Sequence, residues 1–355
     1  MSLYDSDIWL NDLDTIVDSL PELDQLAGKT VLITGAAGLI CSSVVDVMIR
    51  YNETHQQQIK ILVAGRSENK IKSRFANFYQ KPYLTFVQYD ANSMCFDCSI
   101  PVDYIIHGAS NASPDLILKE PVETMLSNIG GLKCLLDYAR DNDVKRVLYI
   151  SSSEVYGNKE TEQPYKTEEY GYIDLLNPRN SYSVSKRAAE TLCVSYAAEY
   201  GVNTVIVRPG HIYGPTASTT DKRVSSLWAY AAARGENIVM KSDGSQMRSY
   251  CYCLDCASAI LKVLLKGDRE HAYNISNPES VISIREMAEI LASTNNVHIE
   301  YEVPDQTEKK EFNPMKNSSL DSSDLLALDW NGLFDANKGL DHSVRIIRKS
   351  RKDNI

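Results

Sequence analysis

Tyr182 and Lys186 stand four residues apart in Tyr182-Ser183-Val184-Ser185-Lys186, about thirty positions after a run of three serines, Ser151-Ser152-Ser153. On a helix that spacing projects a phenol and an ammonium from one face. A free phenol, with a pKa of about 10, is too weak a base at neutral pH, and a fixed cation beside it lowers that value. A serine hydroxyl at the end of a neighbouring strand can hold the hydroxyl to be oxidised. Together these groups make a device that moves a proton while a hydride passes to a nicotinamide. The Tyr-x-x-x-Lys spacing alone recurs on exposed helix faces, so the elements around it decide its meaning.

Those elements begin at Thr30-Val31-Leu32-Ile33-Thr34, a short apolar run that ends in Gly35-Ala36-Ala37-Gly38-Leu39-Ile40 and opens a helical pattern through Val44, Val45, Val47 and Met48. Strand, glycine turn and helix N-terminus form a cradle for a pyrophosphate, which assigns Gly35, Ala37, Gly38, Leu39 and Ile40 to a dinucleotide. Further β-branched segments follow at 59–64, 84–89, 102–107, 146–150 and 203–207, with helical patterns at 122–142 and 181–200. Apolar strands alternating with amphipathic helices predict an α/β fold: a Rossmann-type, doubly wound parallel sheet covered on both faces. Ligands of such sheets lie beyond the carboxyl ends of the strands. Gly35, His107, Ser152 and Arg208 all fall at such ends.

Residues 1–28 are acidic and carry apolar positions at Ile8, Leu10, Leu13, Ile16, Val17 and Leu20 before Pro21, which predicts a helix packed on the main domain or a partner-binding arm. Residues 29–212 form the predicted dinucleotide domain, and 213–355 a smaller, mainly substrate-binding lobe with segments returning to the sheet. There a capping box, Ser283 with Glu286, starts a helix. The stretch 305–323 is polar and predicts loop, and the basic residues Arg345, Arg348, Lys349, Arg351 and Lys352 predict a solvated end.

Over 355 residues the net charge is −10, which argues against nucleic-acid binding. No apolar stretch approaches membrane-spanning length and the N-terminus lacks a cationic–apolar signal, so a cytoplasmic protein is expected. Cys95-x-x-Cys98 and the group Cys251, Cys253 and Cys256 tempt a metal reading, but zinc needs four ligands in recognisable pairs. Cys251 and Cys253 instead alternate with Tyr250 and Tyr252 like core-facing strand residues, and no metal site is assigned.

The chain resembles the extended short-chain dehydrogenase/reductase family that modifies nucleotide-linked sugars. The likeness covers about residues 28–290 and rests on the Thr-Gly-Ala-Ala-Gly-Leu-Ile loop, His107-Gly108-Ala109-Ser110, Ser151-Ser152-Ser153-Glu154-Val155-Tyr156-Gly157, Tyr182-x-x-x-Lys186, Arg208 through Tyr213-Gly214-Pro215, and Gly244-Ser245-Gln246-Met247-Arg248. UDP-glucuronate decarboxylases show a similar Ala109–Pro114 run, Ser-Glu-Val-Tyr-Gly run and Gly-Ser-Gln-x-Arg run. The resemblance implies Tyr182, Lys186, Ser152, Ser153 and Glu154 as catalytic, and Asp90, Ala91, His107, Ala109 and Ser110 beside the cofactor. It implies Ser113, Arg179, His211, Arg223 and Arg248 around the sugar diphosphate, and a homodimer formed through helices 122–142 and 181–200. Two positions depart from the family pattern. Cys41 replaces the third loop glycine, so the helix is expected to pack less closely on its strand, and His211 replaces an Asn that touches substrate.

The cofactor is NAD or NADP. The second strand ends in Ala64-Gly65-Arg66-Ser67 without the acid that holds NAD ribose hydroxyls, and Arg66 with Ser67 suits a 2′-phosphate, whereas the resemblance implies NAD. Oxidation at the sugar C4 opens three outcomes: loss of a C5 carboxylate, elimination of a C6 hydroxyl, or re-reduction from the other face. Similar dehydratases use an Asp–Glu pair where this chain has Ser153-Glu154, and serine is too weak an acid to protonate a leaving hydroxyl. The pair thus favours decarboxylation over 4,6-dehydration, and both over 4-epimerisation. A non-catalytic dinucleotide sensor is the rival from another class; it is expected to have lost Tyr182 or Lys186, and both are present.

Overall fold

The computed structural model of the chain describes residues 2–159, 162–303 and 315–351. Seven parallel strands form the central sheet: β1 (Thr30–Thr34), β2 (Lys60–Gly65), β3 (Leu84–Gln88), β4 (Tyr104–His107), β5 (Arg146–Ile150), β6 (Thr204–Pro209) and β10 (Ala272–Ile275). Their order is β10-β6-β5-β4-β1-β2-β3, so the chain winds outward from β1 in one direction and from β4 in the other. The period-two alternation of side chains divides the core. Val31, Ile33, Ile106, Leu148 and Val205 face α2 (Leu39–Thr54) and α8 (Cys253–Lys266), while Leu32, Ile105, Val147 and Ile206 face α5 (Pro121–Asp141) and α6 (Ser181–Tyr200). This is the doubly wound sheet that the apolar runs predict.

The N-terminal pattern forms α1 (Asp7–Asp18), and it packs on the main body instead of standing free as an arm. Trp9, Leu13 and Ile16 are fully buried in the same cluster as α2 and α8. Polar bonds fix the docking: the buried carboxylate of Asp12 accepts from Tyr252 Oη at 3.0 Å and pairs with His342 Nδ1 at 3.0 Å. Lys262 Nζ donates to Glu22 at 2.7 Å.

After β6 the chain builds β7 (His211–Tyr213), α7 (Val224–Arg234), β8 (Ile238–Met240), β9 (Met247–Tyr252), β11 (Val281–Ser283), α9 (Ile284–Thr294), β12 (Ile299–Tyr301) and β13 (Asn317–Ser318). β9 gathers β7, β11 and β13 into a small second sheet. The Ser283–Glu286 capping box is present at α9. Residues 305–314 of the expected loop lie outside the described residues, and the remainder includes β13, because Asn317 and Ser318 pair with Met247 and Arg248.

Two expectations are corrected. The basic C-terminal side chains at 345, 348 and 349 are solvent-exposed as expected, but they do not form a free end. Arg345, Arg348 and Lys349 belong to a helix, Ala336–Arg351, whose Leu340, Val344, Ile346 and Ile347 are buried; Lys352 lies outside the described residues. Cys253 is not a strand residue either: β9 ends at Tyr252 and Cys253 opens α8, and Tyr250 and Tyr252 are as buried as the cysteines between and after them. Among the described residues, no helix is long and apolar enough to cross a membrane, and no group of three or more His, Cys, Asp or Glu side chains is disposed to hold a metal.

Candidate active site

The glycine turn is required by close approach. Gly35 has φ of 71°, and a Cβ there would meet the backbone of Gly108 and Ala109 at 2.9–3.0 Å. Gly38 then opens α2 with no side-chain cap, leaving the helix N-terminus of Leu39 and Ile40 to an anion. Cys41, in place of a third glycine, is absorbed by a glycine elsewhere: a Cβ at Gly108 would lie 2.3 Å from the Cys41 thiol. The bulk lost at Gly108 accommodates the bulk gained at Cys41.

Beside this turn Thr34 Oγ1 accepts from the N–H groups of Gly108 and Ala109, each at 3.2 Å, and lies 2.7 Å from His107 Nδ1. With its lone pairs so used, the hydroxyl donates to Nδ1, which assigns the imidazole proton to Nε2. Burial holds His107 well below the ordinary histidine range, at about 3, so the ring is neutral. Its Nε2–H, the Ser110 hydroxyl and the Tyr149 hydroxyl are buried without hydrogen-bond partners. Unsatisfied buried donors are costly. Together with the uncapped helix and the glycine cradle, they fit a dinucleotide laid across the ends of β1 and β4.

Farther along the cofactor-facing edge, Asp90 caps a short turn by accepting from Asn92 N at 3.0 Å, with Ala91 buried behind it. Ser67 caps the helix Glu68–Arg74 by accepting from Lys70 N at 3.4 Å, and Arg66 is exposed.

β5 ends in Ser151, and Ser152 caps a short turn, Ser153–Tyr156, by accepting from Glu154 N at 3.2 Å. Gly157 closes that turn at φ 64°, where a Cβ would collide with Tyr172 O at 2.5 Å. α6 lies against it and supplies Tyr182, 7 % exposed, and Lys186, 2 % exposed. Burial and the charge of Glu154 push the Tyr182 phenol up, while Ser152 and Arg223 pull it down.

Lys186 Nζ donates to Ile150 O at 2.8 Å, stands 4.6 Å from the centroid of the Tyr149 ring and 5.7 Å from that of Tyr182. Burial brings its ammonium down to about 7, with Glu190 acting the other way. The spacing places the two side chains together as expected. Ser152 and Arg223 also favour the phenolate, and Lys186 bonds the end of β5.

Around this centre stand the other candidates. Glu154 Oε2 accepts from Ser183 Oγ at 3.0 Å and faces Arg179 Nη1 at 3.9 Å. Arg223 pairs with Asp221 at the start of α7. His211 Nε2 lies 3.4 Å from Ser318 Oγ, and burial, then Arg248 and Arg223, bring the ring down to about 4. Arg248 is 4 % exposed; its guanidinium donates to Met247 O at 2.8 Å and has no carboxylate partner among the described residues. Ser113 is exposed at the start of the helix Pro114–Lys119 and makes no capping bond.

Four supports carry no local sequence signal. Arg187 donates to Val155 O at 2.6 Å, Tyr156 O at 3.1 Å and Gly171 O at 2.9 Å. Arg208 is fully buried and bidentate to Glu190, with further bonds to Tyr156, Thr167 and Tyr170. Asn128 on α5 donates to Ser185 at 2.9 Å, and Ser183 holds Glu154.

A doubly wound parallel sheet, a glycine cradle at β1 and Ser152, Tyr182 and Lys186 at the neighbouring strand ends define an enzyme of the extended short-chain dehydrogenase/reductase type. The sequence model of the NAD dependent epimerase/dehydratase family matches residues 31–276, and the chain belongs to that family. UDP-glucuronic acid decarboxylase 6 of Arabidopsis thaliana is 31% identical over 277 residues, 78% of this chain and 77% of that protein. UDP-glucuronic acid decarboxylase 1 of Xenopus tropicalis is 26% identical over 325 residues, 90% of this chain and 72% of that protein. Among solved structures, a UDP-glucose 4-epimerase of Thermotoga maritima with UDP-glucose superposes with a TM-score of 0.76 at 22% identity, covering 91% of this chain and 100% of that one. A dTDP-glucose 4,6-dehydratase of Bacillus anthracis in complex with NAD gives 0.74 at 20% identity, covering 91% and 98%.

Proposed function

We propose that the chain is a nucleotide-sugar decarboxylase that acts on a UDP-linked uronic acid through a transient 4-keto sugar. The observation that carries this reading is Glu154, bonded to Ser183 beside Tyr182, with a serine and not an acid at position 153. An elimination needs a general acid for the leaving hydroxyl, and Ser153 cannot supply one. The names of the relatives that match over most of the chain point the same way.

Tyr182 takes the proton of the sugar C4 hydroxyl while Ser152 holds that oxygen. NAD, when bound, supplies a hydride acceptor with a cationic ring and gives the hydride back afterwards. A ketone at C4 makes the C5 carboxylate that of a β-keto acid: the C5–C6 bond breaks, carbon dioxide leaves, and the electron pair passes into an enolate that Ser152 and Tyr182 stabilise at O4. A proton added at C5 completes the step. Glu154, held beside Tyr182 by Ser183, is the carboxylate assigned to the chemistry at C5. Arg248, buried without an acid, is suited to the diphosphate, with Arg223 and the neutral His211 beside it. Arg179 and Ser113 border the sugar side.

NAD is the cofactor assigned by the family, held by the turn Gly35–Ile40, with Asp90 and Ala91 near the adenine and His107, Ala109 and Ser110 behind the nicotinamide half. The exposed Arg66 leaves room for a 2′-phosphate. We infer a homodimer through α5 and α6, on which Val122, Leu126, Val194 and Tyr200 remain exposed while Leu132, Leu136 and Tyr196 are used inside the chain. Eight free cysteines, Cys95 exposed among them, suit the reducing cytoplasm. Incubation with a panel of nucleotide-sugars and mass analysis of the products tests the reading: loss of carbon dioxide supports it, and loss of water or an unchanged mass overturns it.

A further inference from the structure

α6 does more than carry Tyr182 and Lys186. Four of its side chains, at positions 182, 183, 186 and 187, reach the end of β5 and the turn that follows. Lys186 binds the last strand carbonyl, Ile150 O. Arg187 gathers Val155 O, Tyr156 O and Gly171 O, so the backbone of the turn is fastened to the helix. Ser183, 6 % exposed, places its hydroxyl 3.0 Å from Glu154 Oε2. Within that turn the Ser152 hydroxyl is already committed to the Glu154 N–H, which fixes the Glu154 backbone but not its carboxylate. The cation facing that carboxylate, Arg179, stands off at 3.9 Å, too far to orient an oxygen by hydrogen bonding.

We propose that Ser183 is a positioning residue: its hydroxyl, held next to Tyr182 in the first turn of α6, orients the Glu154 carboxylate toward the reacting sugar, with Arg187 locking the turn beneath it. This rests on the role given to Glu154 above. A carboxylate on a two-carbon stem has three free torsions, and a buried hydroxyl bonded to one oxygen selects one of the few rotamers left. Because Ser183 adjoins Tyr182 in sequence, the base and the carboxylate are set by one rigid element. A hydrogen bond to the carboxylate directs its other oxygen without contacting substrate itself.

A double-mutant cycle tests this. Ser183→Ala should lower kcat about tenfold, the size of one lost hydrogen bond to a charged group, with KM changed by less than about twofold. In a Glu154→Gln background, Ser183→Ala should cost less than about twofold more, because it acts through a carboxylate that is no longer there. Ser183→Thr, which keeps the hydroxyl, should recover most of the rate. Near-parental kcat in Ser183→Ala, or an equal loss in both backgrounds, overturns the proposal. Equal far-ultraviolet dichroism and melting across the set exclude a folding effect. The cycle is run on whichever nucleotide-sugar is turned over: a failure of the reaction assigned above changes the product, and a failure of the Ser183 assignment changes the arithmetic of the cycle.

Discussion

Replacing Lys186 by methionine should stabilise the fold while it destroys activity. The ammonium is buried at 2 % exposure, and burial brings it from an ordinary 10.5 to about 7. At about 1.4 kcal/mol for each tenfold in proton affinity, that displacement opposes folding at pH 7 by about 4 kcal/mol. The bond to Ile150 O and the contact with the Tyr149 ring are lost in the variant and return about 1–2 kcal/mol of that. Methionine fills the same unbranched space. The net gain is therefore about 2–3 kcal/mol, or on the order of 5 °C in Tm for a chain of this size.

The sign of the pH dependence follows. Between pH 7 and 10.5 the unfolded lysine holds a proton that the folded one has released, so parental stability rises with pH across that window. The advantage of Lys186→Met should be full below pH 7 and shrink toward zero near pH 10. Differential scanning calorimetry of both proteins at pH 6.5, 8 and 9.5 measures it (chosen, at about one and a half units apart, to span that window). A variant that melts lower than the parent at pH 6.5, or an advantage that does not change with pH, refutes the reasoning.

Tyr182→Phe should lower turnover on the order of 10²–10⁴-fold with cofactor binding and melting nearly unchanged, since the ring supplies packing and the hydroxyl supplies chemistry; more than half the parental activity would remove Tyr182 as the base. Arg248→Ala should raise KM strongly and lower kcat less, because a diphosphate contact serves ground and transition states alike; a large kcat loss at constant KM would move Arg248 to the reacting sugar. Arg66→Ala should weaken NADP more than NAD when both are titrated, by roughly 1.5–3 kcal/mol for the lost charge-assisted contact; equal losses, or negligible NADP binding by the parent, would exclude contact with a 2′-phosphate. Light scattering should give a dimer, and a single exposed-to-charged change at Leu126 should shift it toward monomer.

The strands were legible because each buried strand is a short β-branched run, and the predicted bounds at 146–150 and the helix at 181–200 agree with β5 and α6. Motifs that put chemistry on a turn, at Gly35–Ile40 and Ser152–Gly157, were legible for the same reason: each needs a residue type at a fixed step. What the sequence could not reveal is burial. It gave no sign that Lys186 would be desolvated enough to shift toward neutrality, nor that Arg223 would add to the groups favouring the phenolate. Arg187 and Asn128 were invisible because their partners are backbone or side-chain groups supplied by the tertiary fold. The solvation of Arg345, Arg348 and Lys349 was legible from their charge, but the helix that carries them was missed because the Leu340, Val344 and Ile347 spacing was not weighed.

Tyr182, Ser152 and Glu154 are proposed to serve the decarboxylation of a 4-keto sugar acid. Incubating the protein and NAD with UDP-glucuronate labelled at C6, and trapping the gas released, measures it directly. Labelled carbon dioxide is expected in step with a UDP-pentose, and its release is expected to be abolished in Tyr182→Phe. UDP-glucuronate recovered intact, alongside turnover of a neutral nucleotide-hexose to a dehydrated or epimerised product, would contradict it.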